Sequence, residues 1–504
     1  MLLNLSRFCE GFRCAKQMWL SAHRQDLQPE LQDGDAPWEA SRELKELAWL
    51  NFKEVANVNM AQTVEMQARD TQRLLKTGSE VISDAVFIWG ELCCRVDILR
   101  RTGENQIEFY MVKSSKGWKK KYLPYVSYPY YILSGLGYRV RGAFSLLLNE
   151  NYSRCGELEP KNLFVTYDAI EEARTVQEDM PLLCERLLAC LAQEEEPRQE
   201  LDTFCFPRGD YTGSSCGYFS YCTTSLPHPN IFDVRGVIRN AGKNELPKNL
   251  ALYRKGVVSF ADLDGCSSLN DKQKMQVNFE LHGNEPHIDI EKIRGFLATL
   301  SFPLYFLDFE TIKPTIPLYD GTSPNDQFPF LYSLHWVKEP GGKLEWADCF
   351  ASTVTDPRRK IAEALCRDIP KDACVLAYNM SFEKNEIKKL AQYYPDLGEH
   401  LMAIYDNIKD LMVPFKDRSY YTKEMKGSYS IKKVLPALFP DNPDMDYAKL
   451  GHINNGLAAT EKAMKMRKMN VFEQEAFEKA VRYYCWMDTY AMVMIWAKLM
   501  EVIK

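Results

Sequence analysis

Two carboxylates, Asp308 and Glu310, stand two residues apart in the apolar stretch LYFLDFET, residues 304–311. Leu304, Phe306, Leu307 and Phe309 mark a buried strand, and on a strand the side chains at i and i+2 point to the same face. Two ionised carboxylates on one buried face repel each other and carry a desolvation cost. A divalent cation is the simplest compensation, and Mg²⁺ or Mn²⁺ prefers such oxygen ligands.

Further acids occur where separate elements could bring them to the same place. Glu383, in AYNMSFEKNEI, follows a short apolar run and opens a helical pattern, where the helix dipole favours a carboxylate. Asp488, in RYYCWMDTYAM, lies four residues after Tyr484, so the two share one helix face. Singly, each is an ordinary helix residue. Converging, they supply what two divalent ions about 3.5–4 Å apart need to activate a water and stabilise a leaving oxygen in phosphodiester hydrolysis.

The elements that must position these acids belong to residues 301–504. The pattern predicts strands at LYFLDFET, FLYSLHWVKE and KLEWADCFA, a helix at DPRRKIAEALCRDI, a strand at ACVLAYN and a helix at SFEKNEIKKLAQYY. A long amphipathic helix, EQEAFEKAVRYYCWMDTYAMVMIWAKLMEVI, closes the chain. That order makes a mixed sheet with helices on its faces, an α/β domain. Residues 226–300 begin at the Pro-rich SLPHPNIFD and continue as short helical pieces, a small helical connector. Residues 1–225 show helices, then strands AVFIWGELCCRVDILRR and QIEFYMVKSS, a helix YLPYVSYPYYILSGLG, a strand RGAFSLLLN and a cysteine-bearing loop.

The acidic motifs and their order resemble the DEDD exonucleases of the RNase H-like superfamily. DxE on the first strand is LDFET, the Asn with Phe-Asp after the fourth strand is Asn379 with Phe382 and Glu383, and YxxxD on a late helix is Tyr484 to Asp488. The resemblance implies an RNase H-like C-terminal domain. Asp308, Glu310, Glu383 and Asp488 then hold two Mg²⁺ or Mn²⁺ ions, and Tyr484 orients the attacking water. Glu383 departs from the family's Asp by one methylene, and Asp406 and Asp410 are alternatives nearby.

The N-terminal region resembles RecB-like PD-(D/E)xK nucleases, a restriction-endonuclease-like module. Asp97 and Lys113 match the family's acid and lysine, but Met111 stands where the second acid belongs and Pro129 lies near the place of the helix glutamine. Glu108 falls on the opposite strand face. The resemblance therefore implies a degenerate second nuclease site. Lys116, Lys119, Lys120 and Lys121 interleave with aromatics after it, a pattern that suits a phosphate-tracking groove as well as a solvated loop. RecB-like and CRISPR-associated relatives carry one cysteine before the nuclease core and three after it. On that resemblance Cys14, Cys205, Cys216 and Cys222 bind a 4Fe–4S cluster, with Zn²⁺ as the alternative. Cys9, Cys93, Cys94, Cys184 and Cys190 lack that arrangement. Over nearly the full length the chain looks like a bacterial family fusing a RecB-like cluster module to a DEDD-type domain.

The bulk figures agree with these expectations. A chain of 504 residues needs more than one core. Its 46% hydrophobic and 26% charged composition is that of a globular protein. A net charge of −6 leaves any nucleic-acid contact to local patches. No secretory signal or membrane span is read, so the expected compartment is the cytoplasm, where fifteen cysteines do not pair as disulfides. The expected function is metal-dependent hydrolysis of DNA or RNA, as a 3′–5′ exonuclease acting through the C-terminal site. The rival is a non-catalytic nucleic-acid-binding scaffold in which both sites have decayed.

Overall fold

A computed structural model describes residues 1–27, 42–205, 216–236, 246–283, 285–441 and 455–504. The chain is α/β and divides into two compact units. The first comprises the described residues of Met1–Cys205 and Ser215–Thr223, with the excursion Thr315–Asn325. The second takes in Thr224–Pro314 and Asp326–Lys504, so the connector expected at 226–300 is part of it.

The first unit is built on a six-stranded sheet in sequence order: β1 (Val55–Asn57), β2 (Val81–Trp89), β3 (Leu92–Gly103), β4 (Gln106–Val112), β5 (Arg139–Leu148) and β6 (Phe164–Asp168). Neighbours run antiparallel except β1–β2 and β4–β5. Gly90, at φ 59°, makes the tight turn between β2 and β3. Alternation splits β4 between two cores. Phe109 and Met111 pack with the helices Leu5–Arg13, Leu123–Gly135 and Met180–Ala192, while Tyr110 and Val112 pack with Leu44 and Ala48 of the helix Arg42–Trp49. The excursion is held by Arg154, whose Nη1 donates to the carbonyls of Pro317 and Leu318 at 3.0 and 3.1 Å.

The second unit holds the ribbon β7 (His287–Ile288) with β13 (Tyr420–Tyr421), and a five-stranded sheet. Its strands are β8 (Leu304–Ile312), β9 (Phe328–Val337), β10 (Leu344–Phe350), β11 (Cys374–Ala377) and β12 (Ile408–Asp410), in the order β10-β9-β8-β11-β12. The first three are antiparallel, and β11 and β12 continue the sheet parallel to β8. Tyr305, Leu307 and Phe309 of β8 face a core shared with the helices Arg358–Asp368, Ser381–Tyr393 and Pro395–Asn407. The alternate residues face the other way, where Phe306 meets Trp496 of the last helix, Val471–Val502, at 5.8 Å between ring centroids. That helix begins in a capping box between Asn470 and Glu473. Among the described residues no helix is long and apolar enough to cross a membrane.

Candidate metal centre

Asp308 and Glu310 follow Phe306 on the face of β8 that meets the last helix. Three polar side chains fix that helix against the sheet. Ser333 pairs with Asp308 across β8 and β9, and its hydroxyl lies 2.8 Å from the Thr489 hydroxyl. His335 Nδ1 lies 2.8 Å from the same Thr489 oxygen. Thr489 is the neighbour of Asp488, so this buried knot sets the register that brings Tyr484 and Asp488 over the two strand acids. On the adjoining side, Thr460 of the helix Gly456–Lys465 donates to the Thr311 carbonyl at 2.8 Å. A Cβ on Gly456 would lie 3.6 Å from a Glu310 carboxylate oxygen.

The resulting cluster is dense in negative charge. Ligand atoms of Asp308, Glu310 and Cys485 lie within 4.8 Å of one another. The Cys485 thiol donates to both the carbonyl and the Oδ2 of Asp308 at 3.7 Å. Asp308 keeps partial solvent access, whereas Glu310, Glu383, Tyr484 and Asp488 are buried. Burial holds the Asp308 carboxyl well above the usual carboxylate range, and Asp488, Glu310 and Glu383 push it further. Burial and Asp488 do the same to Glu310, against the opposing pull of Lys432. The Tyr484 phenol is raised by burial and then by Asp488, Glu310 and Asp308. Electrostatic interactions thus link the four expected acids and the tyrosine, while the ligand atoms gathered within 4.8 Å are those of Asp308, Glu310 and Cys485.

Glu383 enters from another direction. Asn379, at φ 71°, turns the chain out of β11 into the helix Ser381–Tyr393. Asp410 at the end of β12 accepts the Asn379 N–H at 2.9 Å and the Met412 N–H at 3.0 Å. Asp410, the alternative ligand by sequence, is therefore engaged in holding this turn. Glu383 is 3% exposed, and its Oε2 is buried without a hydrogen-bond partner. Its carboxyl is pushed up to about 8 by burial, with Asp410 and Glu386 adding to the rise. An orphaned buried carboxylate oxygen beside three further acids is a donor set that fits hard divalent cations.

The acids of the first unit are compensated differently. Asp97 faces Met111, as the register of Ile98 with Tyr110 requires. Its Oδ1 lies 2.8 Å from Lys45 Nζ, and its Oδ2 accepts the Val112 N–H at 2.7 Å. Asp84, in a left-handed conformation at φ 51°, supplies a second acid that sequence reasoning missed. Its Oδ2 lies 3.0 Å from Arg42 Nη1. Both acids thus meet cations from the helix Arg42–Trp49. Lys113 lies 3.5 Å from the Tyr125 ring centroid. With Asp97, Met111, Lys45 and Arg95 it lines a cavity of about 170 Å³. Glu108 is bound on the other sheet face by Arg100 and Tyr110. Lys116, Lys119, Lys120 and Lys121 are exposed, with Lys121 5.6 Å over the Tyr122 ring.

Cys14, Cys205, Cys216 and Cys222 line one small cavity of the first unit together with Lys16 and Gln17. The loop between Cys205 and Cys216 lies outside the described residues. Burial pushes the Cys205 thiol up to about 12, with Cys216, Cys14 and Cys222 adding to the rise. None of the fifteen cysteines is in a disulfide.

Sequence reasoning missed Cys485, Lys432 and Thr489 in the second unit. Cys485 lies inside the expected YxxxD motif and Thr489 directly follows it, so inspecting the motif's own residues and its neighbour would have found them. Lys432 lies in GSYSIKKVLPALFP and carries no local signal.

A family described as Domain of unknown function (DUF2779) matches residues 305–430. The match contains Asp308, Glu310, Glu383 and Asp410, while Tyr484 and Asp488 lie beyond it. An uncharacterised protein of Ureaplasma parvum serovar 3 is 25% identical over 240 residues, which are 44% of this chain and 34% of that protein. An uncharacterised protein of Mycoplasma genitalium is 28% identical over 255 residues, 47% of this chain and 38% of that protein. The chain spans between a third and two fifths of the length of these curated relatives.

Proposed function

We propose that the second unit is a divalent-metal-dependent nuclease, acting as a 3′–5′ exonuclease on DNA or RNA. The observation that carries this reading is the convergence of Asp308, Glu310, Glu383 and Asp488, with Lys432 opposing the charge at Glu310. The sheet of three antiparallel strands continued by two parallel ones supports the RNase H-like resemblance. Two Mg²⁺ or Mn²⁺ ions would activate a water and stabilise the leaving oxygen. Asp308, Glu310, Asp488 and Glu383 would hold them. The Tyr484 phenol, kept protonated, orients the water by its hydrogen bond. The Cys485 thiol fixes the Asp308 carboxylate.

In the first unit Arg42 and Lys45 already neutralise Asp84 and Asp97, which favours a binding role over a second cutting site. Lys116, Lys119, Lys120 and Lys121 are its phosphate contacts. The four cysteines gathered about one cavity suit a 4Fe–4S cluster, with zinc the alternative occupant. Fifteen cysteines without a disulfide among them favour the cytoplasm.

The test is hydrolysis of end-labelled single- and double-stranded DNA and RNA with Mg²⁺, Mn²⁺ or chelator. Asp308→Asn should lower the metal-dependent rate by about 10³-fold or more, since metal ligands contribute several kcal/mol of transition-state stabilisation. A variant that keeps full activity would falsify the assignment.

A further inference from the structure

Arg418 of the second unit is 6% exposed and adopts a left-handed backbone conformation at φ 70°. Its Nη2 donates to the Gly427 carbonyl at 2.6 Å, and its guanidinium lies 4.4 Å from the Tyr421 ring centroid. Its Nε and Nη1 are buried and make no hydrogen bond. Beside it stands a second cation, Arg235, 4.9 Å over the Tyr429 ring. The Nε of Arg235 is likewise buried and unbonded. The charged and titratable groups acting on Arg418 are Tyr421, Arg235 and Tyr429, with no carboxylate among them. Among the described residues neither arginine forms an ion pair.

A buried arginine beside a half-buried one without an acid is unfavourable, and each orphaned donor adds a desolvation cost. An oxyanion at Arg235 offsets the repulsion and can take its orphaned donor, and guanidinium groups match phosphate geometry. Arg235 borders a cavity of about 820 Å³ that Lys426, Lys433, Ser428 and Ser430 also line. Two acids share its wall but are engaged. Asp233 accepts the Asn230 N–H at 2.8 Å, and Glu280 lies 3.6 Å from Lys423 Nζ.

The cavity neighbours the acid cluster through one short segment, 427–433. The Tyr429 carbonyl accepts the hydroxyl of Tyr378, the residue before Asn379, at 2.8 Å. Lys432 approaches the Tyr484 ring at 5.9 Å, while Lys433, the next residue, lines the cavity. We propose that this cavity is a phosphate subsite for the substrate strand, with Arg235 and Lys433 seating a backbone phosphate next to the one cut at the acid cluster, and Arg418 adding its positive charge beside Arg235. The proposal rests on the nuclease reading and says how its substrate is held: a polynucleotide fills the subsite, a mononucleotide ester leaves it empty.

Two measurements on the full chain test it. The first is thermal unfolding in inorganic phosphate against chloride at equal ionic strength, without divalent metal. Phosphate should raise the melting temperature of the wild type and of Asp308→Asn, and Arg235→Gln and Lys433→Gln should lose the rise. The second compares kcat/KM for a short single-stranded oligonucleotide with that for the p-nitrophenyl ester of thymidine 5′-monophosphate. The ratio should fall about ten- to hundredfold in Arg235→Gln, the scale of a hydrogen bond to a charged group. Should Arg235→Gln fail to fold, Lys433→Gln, exposed on its helix, carries both measurements. No phosphate-specific rise, or one that both variants retain, overturns the subsite whatever the activity. A wild type that takes up phosphate through Arg235 yet cuts no nucleic acid overturns the nuclease reading and leaves a phosphate site.

Discussion

Asp308, Glu310 and Glu383 are held where ionisation costs stability, and the cost has a pH signature. Glu383 titrates near 4.5 in an unfolded chain and near 8 in this fold. Between those values the folded state keeps a proton that the unfolded state has lost. The stability it contributes is present below pH 4.5 and disappears as the pH rises through about 8. Asp308 and Glu310, also raised, act in the same sense. Metal-free protein should therefore melt at a lower temperature in mild alkali than in mild acid, and Mn²⁺ should restore the alkaline value by binding the ionised carboxylates. Glu383→Gln should shrink the slope. A metal-free melting temperature that rises over this interval would show that the carboxylates are not strained. Tyr484 calls for a separate test, because burial and the neighbouring acids raise its phenol and the proposed role is to orient water rather than to bind metal. Tyr484→Phe should slow turnover by about 10²–10⁴-fold, the contribution of a positioned proton donor. Manganese affinity, read by calorimetry, should stay within a few-fold, and a loss of affinity matching the loss of rate would make the phenol a ligand instead.

The elements that carry the acids were legible because their patterns are strong. LYFLDFET alternates two faces, and the helix after ACVLAYN starts within a residue of its expected place at Ser381. β12, at Ile408–Asp410, was not read. Three residues in IYDNIKDLM give too short a pattern, and the strand exists because it pairs with β11. Asp410 looked like a spare ligand for the same reason: its role is fixed by its bonds to the Asn379 and Met412 amides, which no spacing announces. Thr489 was also silent, since a threonine amid TYAMVMIW reads as a tolerated polar residue. It ties Ser333 and His335 to the last helix, and burial keeps that imidazole neutral by lowering it to about 4. Thr489→Val leaves two buried polar partners short of a bond, so urea denaturation should report a loss of about 1–3 kcal/mol. Thr489→Ser should recover most of it. Unchanged stability in the valine variant would mean that apolar packing alone sets the helix register.

At the scale of the whole chain, two units with separate cores allow the cysteine cluster and the acid cluster to be perturbed independently. The cysteines close the first unit on itself. Cys14 caps the helix Ala15–His23, accepting the Gln17 N–H at 3.4 Å, while Cys205, Cys216 and Cys222 come from its far end in sequence. A shared metal group there would contribute ligation energy to folding, because the unfolded chain offers no preformed site. It would also offset the burial that raises all four thiols, since bound thiolates are stabilised by a metal charge. Protein purified without oxygen should be brown and carry about four iron and four sulfide per chain. Cys216→Ser should bleach it and make the first unit sensitive to protease. The second unit keeps its own core and all of its acids, so metal-dependent hydrolysis should survive, with weaker binding of long substrates if Lys119, Lys120 and Lys121 guide them. Colourless anaerobic protein with one zinc would replace the cluster by a structural zinc site. Metal-free protein, with Cys216→Ser as protease-resistant as the wild type, would leave the four thiols as packing residues.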